Sequence, residues 1–258
     1  PQSEQFMSDI STRTHHRVCH LCEAMCGLVI QTEGDKVTDI RGDLDDPLSR
    51  GHVCPKAIAL QDIHEDPDRL RKPVKRIRSA PGEYQHVEIE WSEALDLAAD
   101  ALASTIEKQG VDAVGAYFGN PSVHNYGMLT HQRNLFRHIR TRNRFSATSV
   151  DQLPHHLVSL WCFGHMLLHP IPDVDRTHYF LMLGANPLAS NGSIWTVPDV
   201  RQRLRDLKSR GGKLVVVDPR RTETADMASE HLFIRPGSDA AFLLAIIHAV
   251  SYTHLTLP

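Results

Sequence analysis

No apolar run in this chain of 258 residues approaches the roughly 18 needed for a membrane-spanning helix. An excess of one charge is also lacking. Lys and Arg total 28 against 31 Asp and Glu, a net charge of −3, so there is no bulk electrostatic case for nucleic acid or an anionic membrane. A G-x-G-x-x-G fingerprint is absent, which leaves a standard NAD site unsupported. There is no internal repeat and no low-complexity segment. Between Met7, a natural start followed by Ser8 and Asp9, and the first cysteine there is neither a twin-arginine nor a hydrophobic signal. The localisation this implies is cytoplasmic.

The chain has five cysteines, and four of them are concentrated. Cys19, Cys22 and Cys26 fall within eight residues, and Cys54 follows after a spacer of 27. Thiols packed this closely cannot all pair with one another, because a disulfide needs a specific separation and dihedral. They can wrap one inorganic centre. C-x2-C-x3-C-x27-C is a three-plus-one pattern, suited to a [4Fe–4S] cubane whose local loop fills three corners and whose remote segment closes the fourth. Structural zinc sites use two separated C-x2-C pairs, so zinc ranks second. Thiols that must stay reduced until metallated fit a reducing compartment, or assembly in one. The fifth, Cys162 in Leu160-Trp161-Cys162-Phe163, reads as a buried, inert thiol.

Periodicity then divides the chain. Residues 28–33 and 36–40 alternate around Gly34-Asp35, a hairpin that carries the chain away from the first cysteines and back toward Cys54. Residues 64–80 are basic and turn-rich and read as a solvated connector. Val87–Trp91 reads as a strand, with Ser92 capping a helix from Glu93 to about Lys108 that stops at Gly110. Further on, strands at 111–118, 177–183, 213–217 and 231–235 alternate with helices at about 123–139, at 200–209 and from 239 onward. Continuous apolar strands alternating with helices predict a parallel α/β sheet covered on both faces. The expected class is α/β: a small β-rich iron–sulfur domain (1–72), the first part of an α/β domain (73–145) and an incomplete α/β domain (146–258). The closing run 251–258 has no amphipathic logic and reads as a non-native tail on a truncated gene fragment.

In open α/β sheets, ligands bind beyond the carboxyl ends of the strands. Three of these ends carry ligand-type residues: Gly184 and Asn186; Asp218, Arg220, Arg221 and Thr222; Gly237 and Asp239. Glycine admits a bulky group close to backbone N–H groups. Asn and Asp read donor edges of a purine or pterin, and Arg and Thr hold pyrophosphate. Each turn alone is ordinary chain chemistry. Three in consecutive units, behind a cysteine cluster, are more specific.

These motifs together resemble the N-terminal part of a molybdopterin oxidoreductase of the dimethyl sulfoxide reductase family, which includes formate dehydrogenases and periplasmic-type nitrate reductases. The resemblance runs from Cys19 to about Ala249. It rests on the four cysteines, Asp68-Arg69-Leu70 with Pro73 and Arg76, Ile89–Leu95, Gly184–Pro187, Val217–Thr222 and Arg235–Asp239. It implies that Cys19, Cys22, Cys26 and Cys54 hold a [4Fe–4S] cluster, and that Lys56 assists electron transfer between cluster and pterin. It also implies that Gly184, Asn186, Asp218, Arg220, Gly237 and Asp239 contact the guanine dinucleotide arms of a molybdenum or tungsten bis-molybdopterin cofactor. The expected partners are a small redox substrate and an electron-transfer protein, with no nucleic acid.

The family's metal ligand, a Cys, selenocysteine, Ser or Asp, maps to 146–156, where this sequence has no cysteine. Asp151 is the expected oxygen ligand, with Ser149 as the other; a helix-capping role for Asp151 is the plainer reading. His155 and His156 are placed to assist proton transfer or simply to pack. A stand-alone iron–sulfur electron carrier or a zinc-stabilised binding module would leave the strand-end motifs unexplained. The chain by itself is not expected to be a competent enzyme.

Overall fold

The structure is a computed structural model that describes residues 11–119, 121–191 and 193–254. Met7, Asn120 and residues 255–258 of the expected tail lie outside the described residues. The chain forms two compact units. The first holds residues 11–22, Leu28–Arg41 and Cys54–His169, and the second holds Glu23–Gly27, Gly42–Val53 and residues 170–254.

In the first unit, β1 (Thr12–Val18), β2 (Gly27–Glu33) and β3 (Lys36–Gly42) form a sheet in that order. The two-residue link Gly34-Asp35 makes the expected hairpin, with Gly34 at φ 60, a conformation open to glycine at little cost. Two short helices follow, α1 (Pro55–Ile58) and α2 (Leu60–Glu65). The connector differs from expectation. Its second half is a strand, β4 (Val74–Ala80), paired antiparallel with β5 (Glu83–Glu88). Its cations are also largely engaged. Lys72 and Lys75 pair with Glu90 and Glu93, Arg71 donates to the His64 carbonyl, and the Arg76 guanidinium lies 4.6 Å from the Tyr84 ring.

Helix α3 spans Trp91–Gln109 and begins after Glu90, so Ser92 lies inside its first turn rather than at the cap. Gly110 ends it, as read. Strand β6 (Ala116–Phe118) pairs parallel with β7 (Arg144–Ser146). Between them the expected single helix is two, α4 (Pro121–His124) and α5 (Tyr126–Ile139). Asn125 separates them because its side-chain oxygen accepts the Met128 N–H at 2.9 Å, a cap that starts a new helix. Helix α6 (Leu153–Phe163) carries Cys162, which is exposed rather than buried. The helix has more apolar residues than one face can cover, and Ser159 takes the buried position.

The second unit contains the α/β sheet. Strands β8 (Tyr179–Leu183), β9 (Lys213–Val217) and β10 (Glu230–Leu232) run parallel in the order β10-β9-β8. The links carry α7 (Pro187–Ser190), α8 (Val200–Ser209) and α9 (Glu223–Met227), and α10 (Asp239–His254) follows β10. The central strand Leu214–Val217 is buried on both sides, which its unbroken apolar run predicts. Leu204 and Leu207 of α8 are fully buried with Leu214, Val216, Met182 and Trp195. Phe180 meets Trp195 edge-on at 5.2 Å. Helix α10 runs on through Ser251–His254, so the described part of the supposed tail continues a helix. Among the described residues no helix is long and apolar enough to cross a membrane.

A loop, 43–50, is fixed in this unit from both sides. On one side Arg203 of α8, whose side chain is 12% exposed, binds Asp175 at 2.6 Å and donates to the Leu48 carbonyl, while Arg50 binds Asp175 at 2.9 Å. On the other, Asp46 accepts both the Ser49 backbone N–H (2.7 Å) and hydroxyl (2.5 Å). These two bonds, hydroxyl first, hold the Asp46 carboxyl below the ordinary carboxylate range. A depressed carboxyl stabilises the fold fully above its unfolded value of about 3.9, and the contribution is lost as pH falls through the lower folded value. Acid unfolding followed by circular dichroism should therefore begin at higher pH in Asp46→Asn, whose pH dependence below about pH 4 should also be flatter than that of the wild type.

Candidate functional site

Cys19 follows directly on β1 and is buried. Its thiol is pushed up, first by burial and then by the like charges of Cys22 and Cys54. The Leu21 backbone N–H, aimed at the sulfur, and the Lys56 ammonium oppose this. Cys54 stands in extended conformation before α1, and Pro55 opens that helix without needing a donor. Three of the four motif thiols and Lys56 are thus electrostatically in touch within the first unit. Cys26 is buried in the second unit, next to Gly27. No disulfide joins any of them.

Among the described residues no three His, Cys, Asp or Glu side chains are close enough to hold a single metal ion. Four thiolates around one zinc would lie roughly 3.8 Å apart, given Zn–S bonds of about 2.3 Å. Four soft sulfur donors are the ligand type an iron–sulfur cluster takes, and the Leu21 N–H and Lys56 ammonium both act on Cys19.

The turns after β8 and β9 begin side by side at one edge of the sheet. Leu183, Val217 and Leu232 pair in one row, so the three parallel strands end level. The ladder continues one step, with Gly184 N–H donating to the Val217 carbonyl and Asp218 N–H to that of Leu232. Gly184 has φ 60, and an added Cβ there would meet nothing within 4 Å. Its conformation is what asks for glycine, and the open space leaves room for a ligand against the backbone. Gly237 is alike, at φ 80. Asp218 is buried; its carboxylate accepts the Arg220 N–H at 2.7 Å, and its carbonyl oxygen lies 3.0 Å from His231 Nε2. Arg220 is exposed, and Asp239 opens α10, also exposed.

Asn186 is engaged more fully than its sequence context suggests. Its side-chain oxygen accepts the Thr224 hydroxyl (2.7 Å) and N–H (3.3 Å), and its amide donates to Glu223 at 2.7 Å. This ties the β8 turn to the start of α9. Glu223 is held below its ordinary range by its own backbone N–H, then by Asn186, with Arg220 adding a smaller effect. Thr222 caps α9 through the Ala225 N–H at 3.1 Å.

Asp151 is exposed and precedes Gln152, the cap residue of α6, which makes no side-chain cap bond. The helix-capping reading of Asp151 is therefore not borne out, and its carboxylate is left at the surface. His156 packs edge-on against His169 at 4.9 Å, with His156 Nδ1 3.0 Å from the Met166 carbonyl. Burial and the charges of His156 and His155 push His169 down.

Sequence reasoning missed Glu223, Thr224 and His231 at the sheet edge, and Asp46 with Ser49 near Cys26. Two of these had a local signal: Asp46 and Ser49 are spaced as a side-chain-closed turn. The rest depend on contacts between distant segments.

Comparison with known proteins agrees with the geometry. The molybdopterin oxidoreductase family model matches residues 69–255, and the molybdopterin oxidoreductase Fe4S4 domain matches 12–65. A nitrate reductase of Symbiobacterium thermophilum is 26% identical over 90% of this chain and 30% of its own length. The F420-dependent formate dehydrogenase 2 subunit alpha of Methanococcus maripaludis is 27% identical over 91% of this chain and 32% of its own. The solved structure of acetylene hydratase from Pelobacter acetylenicus superposes with a TM-score of 0.71 at 26% identity, covering 93% of this chain and 32% of that one. The chain spans about a third of the length of these relatives. It belongs to the molybdopterin oxidoreductase family, and its N-terminal part is that family's Fe4S4 domain.

Proposed function

We propose that this chain is the electron-relay and cofactor-cradle portion of a molybdenum or tungsten bis-molybdopterin guanine dinucleotide oxidoreductase. The observation that carries the reading is the level edge of the β10-β9-β8 sheet, where the ligand-type turns after β8 and β9 begin side by side. We divide the chain for this purpose into a cluster domain (1–72), the first part of a second domain (73–145) and a third (146–258). When bound, the metal and its pterins supply the two-electron redox chemistry, and the iron–sulfur cluster carries electrons singly to or from a partner protein.

The residues of this chain bind and tune. Cys19, Cys22, Cys26 and Cys54 ligate the cluster as thiolates, and the Leu21 N–H and Lys56 ammonium offset the negative charge that gathers there. Lys56 lies on the electron route to the pterin. Gly184 and Gly237 let the nucleotide arms approach the backbone. Arg220 holds pyrophosphate, and Asp218 and Asp239 accept from guanine N–H groups. Asn186 contributes a remaining amide hydrogen and holds its turn in place. Asp151 supplies an oxygen ligand to the metal.

The full-length gene product, prepared anaerobically, should contain about four iron and four sulfide per chain, broad visible absorption, and a pterin released by acid. Zinc in place of iron, or an iron-loaded protein without pterin, would sink this reading. Arg220→Ala should weaken the binding of guanosine diphosphate, measured by titration calorimetry, about 10-fold, roughly 1.4 kcal/mol. Unchanged affinity would remove Arg220 from the cradle. In the loaded full-length enzyme, X-ray absorption at the metal edge should lose one light-atom ligand in Asp151→Ala; an unaltered shell would assign the ligand elsewhere.

A further inference from the structure

Gly27 follows the cluster ligand Cys26, and its backbone is held on both sides by a loop that no cysteine belongs to. Its N–H donates to the Ser49 hydroxyl oxygen at 3.0 Å, and its carbonyl accepts the Asp43 N–H at 2.9 Å. Ser49 is 3% exposed, and its hydroxyl proton is committed to Asp46. The hydroxyl therefore has one orientation available, with a lone pair turned to Gly27. Contact is also close. A Cβ on Gly27 would come within 2.6 Å of the Asp46 Cβ, so only glycine allows the loop to close. The loop is backed by Arg203 of α8, through Asp175 and the Leu48 carbonyl.

We infer that Asp46 and Ser49 are positioning residues for Cys26: they fix the peptide that carries this thiolate and so set its contact with the cluster. The inference rests on the proposed iron–sulfur function. Groups that orient a ligand without touching the metal commonly tune affinity and potential, which is the effect expected here. Neither residue is a ligand, and neither exchanges protons or electrons in the reaction.

The test uses the whole chain, reconstituted anaerobically with iron and sulfide, and compares wild type with Ser49→Ala and Ser49→Thr. Ser49→Ala should lose the cluster to a chelator about 10-fold faster, shift the electron paramagnetic resonance of the reduced cluster, and move its midpoint potential. Ser49→Thr, which keeps the hydroxyl, should restore all three. In the metal-free protein, hydrogen exchange at the Gly27 amide should speed up in Ser49→Ala alone. A control, Ser229→Ala, removes a hydroxyl that accepts the Leu214 N–H elsewhere in the same unit and should leave the cluster readouts unchanged.

If Ser49→Ala does not fold, Asp46→Asn, nearly isosteric, should show the same chelation and resonance changes at smaller size. Wild-type-like chelation, spectrum and potential in the variant that folds would overturn the inference while leaving the iron–sulfur reading intact. Failure of the wild type to assemble a cubane would overturn both.

Discussion

A parallel strand buried on both faces leaves a chain few choices, and β9 is such a strand. Leu214–Val217 have no solvent side, so each connection must return over a face of the sheet before the next strand can pair. Every carboxyl end consequently faces the same way. Level termination at Leu183, Val217 and Leu232 then sets the turns after β8 and β9 side by side. The chemistry proposed for the edge follows from that constraint, since none of the turns is distinctive alone.

The edge is also tied across its own gaps. Asn186 fastens the β8 turn to Thr224 and Glu223, and Asp218 holds Arg220 through the backbone while its carbonyl meets His231. Polar side chains here serve two tasks at once, satisfying buried backbone groups and presenting charge. That double use explains why residues proposed as ligands also act as structural ties.

The sequence made β8 and β9 legible through unbroken apolar runs with clear turns at both ends, and α8 through Val200, Leu204 and Leu207 at helical spacing in a polar stretch. The cysteine spacing was legible because thiols are rare and clustered. Boundaries set by competing local bonds were not. Asn125 splits a helix by capping a second one, and Glu90 rather than Ser92 precedes α3. Cys162 was misjudged because an apolar neighbourhood in sequence does not say which helix face is covered. The Ser49–Gly27 bond spans 22 residues, and His231–Asp218 spans 13, distances at which pattern reading has no purchase.

The tie between Asn186 and Thr224 has a thermodynamic consequence for cofactor insertion. Two turns that would otherwise sample many arrangements are joined by bonds internal to the chain. The ordering entropy is therefore spent during folding of the sheet, and not at the moment of insertion. A cofactor bound at the proposed edge would meet turns of fixed shape, and would have to supply only its own desolvation and alignment.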